Sequence, residues 1–335
     1  MLKHHLVAVA AVAAAALAAP TLASADCKLL LLAEFKLDPT SYSPIVEGEI
    51  NARKVKVLID SGSTFSSVSA FAVNRLGLPS IQMMGMRAYG IGGDRAVFRA
   101  HINELKIGAF TKTGLDLYVA GDDSQAGPAE IILGEDVLSK VDTEFDLAHN
   151  AIRLFEPKGC AAPQLVYWGA AYSQADLLTW DPDEPSIQTH AQINGKQILA
   201  ELDSGAGQSI VDATAADADG VARPPTAAAT ETIHGMGPKA VQSWVGRFDS
   251  FALGDEKISH VSVQVLPFTR GMTYTETGDL TPHHLDNTPS MFVGDDFLHA
   301  HRVFIDNQDH LILFSYQGGP VFTTAEPKAA VAASK

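Results

Sequence analysis

The feature that most constrains this chain is that it is written twice. From Pro44 it reads PIVEGEINARKVKVLIDSGSTFSSV, and from Pro185 it reads PSIQTHAQINGKQILAELDSGAGQSIV. In each copy an alternating apolar/polar strand, a turn at Asn51-Ala52-Arg53 or Asn194-Gly195-Lys196, and a second strand lead into Asp-Ser-Gly. A glycine-rich turn follows about 30 residues later, at Tyr89-Gly90-Ile91-Gly92-Gly93 and at His234-Gly235-Met236-Gly237-Pro238. Next comes an apolar run with glycine, Ile131-Ile132-Leu133-Gly134-Glu135-Asp136 and Met291-Phe292-Val293-Gly294-Asp295-Asp296. Each copy then closes on a strand pair, Glu144–Asp146 with Leu154–Phe155 and Val303–Asp306 with Leu313–Phe314. Landmarks that recur in one order predict a duplicated structural unit, hence two similar lobes in one polypeptide.

The spacing of short β-branched strands predicts a mainly β fold, with a helix opening the Ala-rich stretch from Ala213. The first 25 residues carry Lys3, an apolar run from Leu6 to Ala19 and a small-x-small site at Ala23-Ser24-Ala25, the pattern of a signal peptide. No stretch reaches the ~18 apolar residues of a membrane span. The expected division is a signal peptide at 1–25, lobes at 26–156 and 185–320, an ordered connector at 157–184 carrying Tyr167, Trp168, Tyr172 and Trp180, and a disordered tail at 321–335. The mature protein is expected to be secreted or periplasmic. Asp26 in front of Cys27 argues against a lipoprotein anchor, which wants a small residue there. Two cysteines, Cys27 and Cys160, in an exported chain are candidates for a disulfide. The formal charge of −15 becomes −16 once Lys3 is removed with the leader, which disfavours a nucleic-acid partner.

A single Asp-Ser-Gly reads as an ordinary turn. Two of them in matched settings, each at the end of an apolar strand, aim Asp60 and Asp203 into a cleft between the copies. Here the chain resembles the aspartic peptidases of the retroviral and pepsin type, whose pattern is apolar-apolar-Asp-Thr/Ser-Gly, a flap and a later apolar-apolar-Gly. The resemblance spans roughly residues 44–155 and 185–316. It implies two similar six-to-eight-stranded retropepsin/pepsin-like β-barrel lobes related by a pseudo-two-fold axis, with Asp60 and Asp203 as the catalytic pair in the cleft between them. It further implies that Ser61 and Ser204 bond across the two loops, that Gly62 and Gly205 let the backbone pass behind the carboxylates, and that Gly134 and Gly294 close the crossing behind each turn. Tyr89, Gly90, Ile91, Gly92 and Gly93, with Gly235, Met236 and Gly237, correspond to substrate-binding flaps. Because both copies carry one, the nearer analogy is a retroviral-type dimer fused into one chain, which needs no partner to complete its site and is expected to be a monomer.

Two carboxylates held together cannot both ionise cheaply, so they share a proton and can serve as base and acid toward a water and an amide. The loops differ at the next position, Ser63 against Ala206. A hydroxyl there would lower the pKa of its neighbour, so the expectation is that Asp60 is the more readily ionised. The predicted activity is that of an exported aspartic endopeptidase acting on extended peptides or unfolded protein, without cofactor or metal. The alternative is a two-lobed peptide-binding or sensing protein of the same fold. His283-His284 and His299-Ala300-His301 raise a metal hypothesis, but no His-Glu-x-x-His pattern accompanies them. There is no Gly-x-Ser-x-Gly elbow, and Gly90-Ile91-Gly92 lacks the third glycine of a dinucleotide fingerprint.

Overall fold

In the computed structural model, described for residues 27–120, 128–169, 171–178, 185–221, 223, 230–233, 235, 239–268, 273–274, 283–284 and 287–322, each copy of the repeat curls into a barrel. After β1 (Lys28–Lys36), the first copy runs β2 (Ile45–Ile50), β3 (Arg53–Ile59), β4 (Ser67–Ser69), α1 (Ala70–Leu76), β5 (Ser80–Gly90), β6 (Gly93–Ile107), β7 (Phe110–Ala120), β8 (Ile131–Leu133) and α2 (Glu135–Leu138). Then come β9 (Asp142–Asp146), β10 (Ala151–Lys158), α3 (Ala162–Leu165) and β11 (Ser173–Asp176). The second copy repeats the plan with β12 (Gln188–Ile193), β13 (Lys196–Leu202), β14 (Ile210–Asp212), α4 (Ala213–Ala218), β15 (Thr230–Ile233), β16 (Val241–Leu253) and β17 (Glu256–Leu266). The short strands β18 (Thr273–Tyr274) and β19 (His283–His284) precede β20 (Met291–Val293), α5 (Asp295–Leu298), β21 (His301–Asp306) and β22 (Leu311–Tyr316).

In the first lobe the order β2-β3-β8-β4-β7-β6 returns from β6 to β2, closing six strands, with β5 attached outside β6. The second lobe closes identically as β12-β13-β20-β14-β17-β16, with β15 outside β16. Closure leaves these strands without free edges. The hairpin turns set it. Asn51 and Ala52 at φ 49° and 62°, and Asn194 and Gly195 at φ 50° and 78°, form the left-handed pair that a tight two-residue hairpin demands. The asparagine side chains then reach the neighbouring strand: Glu104 N donates to Asn51 Oδ1 at 3.0 Å, and Asp249 N donates to Asn194 Oδ1 at 2.7 Å. Inward positions of both barrels are apolar, including Ile50, Val57, Ile59, Ile102 and Ile131 in the first and Ala200, Val211, Val265 and Met291 in the second.

The closing strand pairs of the two copies are not separate hairpins. They merge into a six-stranded sheet, β1-β10-β9-β21-β22-β11, whose central pairing of β9 with β21 crosses from one lobe to the other. Phe145 faces Val303 and Thr143 faces Ile305 across that seam. The connector supplies the outer strand β11, and Leu165 and Val166 pack with Phe155, Phe304 and Leu313 on the sheet. Glu144, wholly buried at the seam, accepts from Arg153 of its own lobe and Arg302 of the other. The Arg302 guanidinium also lies over the Trp168 ring at 4.6 Å. Phe322, within the stretch expected as a tail, is buried and meets Phe251 with ring centroids 4.9 Å apart. Residues 323–335 lie outside the described residues.

Cys27 and Cys160 form a disulfide that pins β1 to the end of β10 across a sequence separation of 133. A loop of that size loses much chain entropy when cross-linked. Reduction, or replacement of both cysteines by serine, is therefore expected to lower stability by about 2–4 kcal/mol in a denaturant titration. An unchanged midpoint would show that β1 is held by strand pairing alone.

Candidate active site

Asp60 and Asp203 sit just past β3 and β13, where each backbone leaves its barrel. The departure is set by matched bonds, Asp60 N donating to Leu133 O at 3.0 Å and Asp203 N donating to Val293 O at 2.9 Å. The two loops then lock. Ser61 Oγ donates to Leu202 O at 2.8 Å and accepts from Ser204 N at 3.0 Å. Reciprocally, Ser204 Oγ donates to Ile59 O at 2.8 Å and accepts from Ser61 N at 3.0 Å. Both serines are buried, at 1% and 0% exposure, so these bonds have no water to replace them. Ser61→Ala or Ser204→Ala strands a carbonyl and an amide of the opposite loop. Each is expected to cost about 1–3 kcal/mol in chemical unfolding, with threonine at either position restoring most of it.

The interlock brings the carboxyls together. A Cβ on Gly62 would fall 2.3 Å from Asp203 Cγ, and one on Gly205 would fall 2.4 Å from Asp60 Cγ. Each carboxyl thus lies against the glycine of the other lobe, and no side chain fits at either place. Burial pushes Asp60 well above the usual carboxylate range, and the neighbouring Asp203 adds to the push. Burial raises Asp203 as well, but Gly205 N and Ala206 N both donate to its Oδ1, at 2.9 and 3.0 Å, and so favour its charge. Asp60 has one such donor, Gly62 N at 3.0 Å. The expectation from Ser63 is therefore reversed. Its hydroxyl donates to Phe65 O at 3.0 Å, two residues along, and leaves Asp60 unaided. The main-chain donors thus favour negative charge on Asp203 over Asp60.

Behind the loops lies a support that the sequence reading did not single out. Ser66 N and Oγ donate to Asp136 Oδ1, and Ser66 Oγ accepts from Gly134 N at 3.0 Å. Ser209, Asp296 and Gly294 repeat the same set in the second lobe. Gly134 and Gly294 close the crossing as expected, since a Cβ at either would meet the carbonyl oxygen of Ser63 or Ala206 at 2.5 Å. The signal was present as an aspartate two residues after each landmark glycine. Next to these aspartates, Glu135 and Asp295 are 2% and 0% exposed, and burial drives both carboxyls well above their ordinary range.

The glycine-rich turn expected as the first flap is the tip of the β5–β6 hairpin, paired from Tyr89 with Asp94 to Gly90 with Gly93. Its turn at Ile91-Gly92 meets the second copy directly. Lys239 N donates to Gly92 O at 3.0 Å, and a Cβ on Gly235 would lie 2.6 Å from both the Cβ and the carbonyl oxygen of Ile91. Glycine at 235 is thus what lets the two turns touch. Ile91 packs with Ile233, Val241, Phe268 and Phe292 of the second lobe. His234, Met236, Gly237 and Pro238 lie outside the described residues.

His299 and His301 do not converge. His299 Nε2 bonds to Tyr42 O, whereas His301 is buried between Phe297 O and Glu256. Residues 46–140 match the family described as "gag-polyprotein putative aspartyl protease", and residues 189–289 match the family described as "Aspartyl protease". Each span contains one Asp-Ser-Gly loop. No curated protein matches the chain significantly.

Proposed function

The chain belongs, lobe by lobe, to the retropepsin-like aspartyl proteases, and from this we propose that it is an exported endopeptidase that hydrolyses extended polypeptide with water activated between Asp60 and Asp203. The observation that carries this reading is the reciprocal serine interlock, which sets each carboxyl against the glycine of the opposite loop. In the working state Asp203 is the carboxylate and Asp60 the acid. A water between them gives a proton to Asp203 as its oxygen attacks the scissile carbonyl carbon, while Asp60 gives its proton to the carbonyl oxygen. The resulting gem-diol collapses as Asp203 returns its proton to the amide nitrogen, the C–N bond breaks, and Asp60 recovers a proton from a diol hydroxyl. The dyad ends as it began. The flaps hold the substrate as an added strand through main-chain hydrogen bonds, which favours an extended segment over a folded one.

Residues 1–25 serve as the export signal in this reading, and the disulfide is compatible with an oxidising compartment. The lobes at 26–156 and 185–320 each contribute one carboxyl, so the monomer suffices. The test is cleavage of a mixed peptide library by the mature chain, read by mass spectrometry, with a peptide bearing a tetrahedral hydroxyl carbon as competitor. Turnover blocked by that competitor supports the reading. Peptide binding without turnover would leave a recognition module instead.

A further inference from the structure

The two lobes share a register, so a place where they differ in kind stands out. In the first lobe, Ile45 of β2 faces Leu58 of β3, two residues before Asp60. The equivalent pair in the second lobe is Gln188 of β12 facing Glu201 of β13, two residues before Asp203. An apolar pair has become a polar one without leaving the interior, since Gln188 and Glu201 are 6% and 7% exposed. Gln188 Nε2 donates to Glu201 Oε2 at 2.9 Å and to Asn287 O at 3.2 Å. On the other side, β20 sets Phe292 beside Glu201. The ionisable groups that act with it are Asp203 from its own strand end, Asp60 from the opposite loop and Glu135 from the head of α2. All are acids.

The identity of the partner matters. An arginine or lysine would hold Glu201 permanently ionised, and an apolar neighbour would hold it neutral. A glutamine amide serves both states, presenting N–H to a carboxylate or, turned over, its carbonyl oxygen to a carboxylic acid. Resting on the peptidase reading above, we infer that Glu201 is a positioning residue for the shared proton: it gives up its own proton before the dyad gives up the last one, and its charge then keeps that proton on Asp60. The pair thereby extends the working range of the dyad to higher pH. Burial pushes Glu201 up to about 8 against the pull of the Gln188 hydrogen bond, and its charge adds to what raises Asp60. No atom of Glu201 need touch substrate.

The experiment compares pH profiles of kcat/KM for the wild type, Glu201→Gln, and the double variant Gln188→Ile with Glu201→Leu, which installs the first lobe's own pair. Both variants are expected to lose the alkaline limb about one pH unit earlier, a tenfold change in the affinity for the shared proton, because a nearby negative charge has gone. The acid limb, where Glu201 is neutral, stays. An alkaline limb that does not move in either variant, beside an active wild type, overturns the inference and leaves the peptidase reading intact. A parallel 13C carboxyl NMR titration of Asp60 and Asp203 reads the same proton without turnover. There, the upper step falls in Glu201→Gln if the inference holds and stays put if it fails, even should the wild type prove not to cleave.

Discussion

Asp60→Asn and Asp203→Asn are each expected to lower kcat/KM by roughly 10³-fold or more, while the folded protein becomes no less stable. The magnitude follows from the role, because acid–base partners of this kind contribute about 10²–10⁴ each. The two members also act as a unit, so the double variant is expected to be little worse than either single one. Stability should hold because the interlock runs through Ser61, Ser204 and main-chain atoms, none of which is altered. An amide also needs no proton to be neutral, and burial is the leading cause that raises both aspartates. Loss of turnover with an equal or higher Tm is therefore the signature. Either variant keeping more than about a tenth of the activity would remove that residue from the chemistry, and a large fall in Tm would mean that lost activity reports unfolding instead.

Much of this arrangement was legible because the chain repeats itself. Period-two alternation, asparagine turns and Asp-Ser-Gly recur in order, and strand pairing local to each copy turns them into two barrels of one design. The seam was not legible. Pairing of β9 with β21 joins segments far apart in sequence, and nothing in Glu144–Asp146 distinguishes an edge that will meet its own hairpin from one that will meet the other lobe. The charge asymmetry of the dyad was misjudged for a related reason. Ser63 had an acceptor closer than the carboxylate, the carbonyl of Phe65, while the donor that favours Asp203 is the main-chain N–H of Ala206, which no residue identity advertises. Glu201 escaped notice because one acid in an apolar strand reads as a solvent-facing position until the opposing Gln188 is known to be buried as well.

The same buried acids predict that the protein is most stable in acid and weakens as the solution approaches neutrality and beyond. Burial pushes Glu201 up to about 8 and Asp142 to about 7, and it also raises Glu135, Asp295, Asp296, Asp306 and the dyad. In the unfolded chain these groups titrate near 4. Between about pH 4 and pH 8 the native state therefore binds more protons than the unfolded state, and stability falls as pH rises through that interval. The contribution of each group is complete below its unfolded value and gone above its folded one. Glu201 alone is worth a few kcal/mol across the window. At about 1–2 °C per kcal/mol for a chain of this size, and with several such groups acting together, Tm should drop by about 5 °C or more from pH 4.5 to pH 8. Asp146 works in the opposite sense. Against the push of burial, hydrogen bonds from His149 and Arg153 hold it below the usual range, so its stabilisation is lost only as pH falls below that range. The curve should accordingly peak near pH 4 and descend on both sides, more steeply toward neutrality. Calorimetry of the mature chain at fixed ionic strength measures this, with Glu201→Gln flattening the neutral limb. A Tm that is level or rises between pH 4.5 and pH 8 would mean that these carboxyls are ionised in the folded protein at no cost, which their burial does not permit.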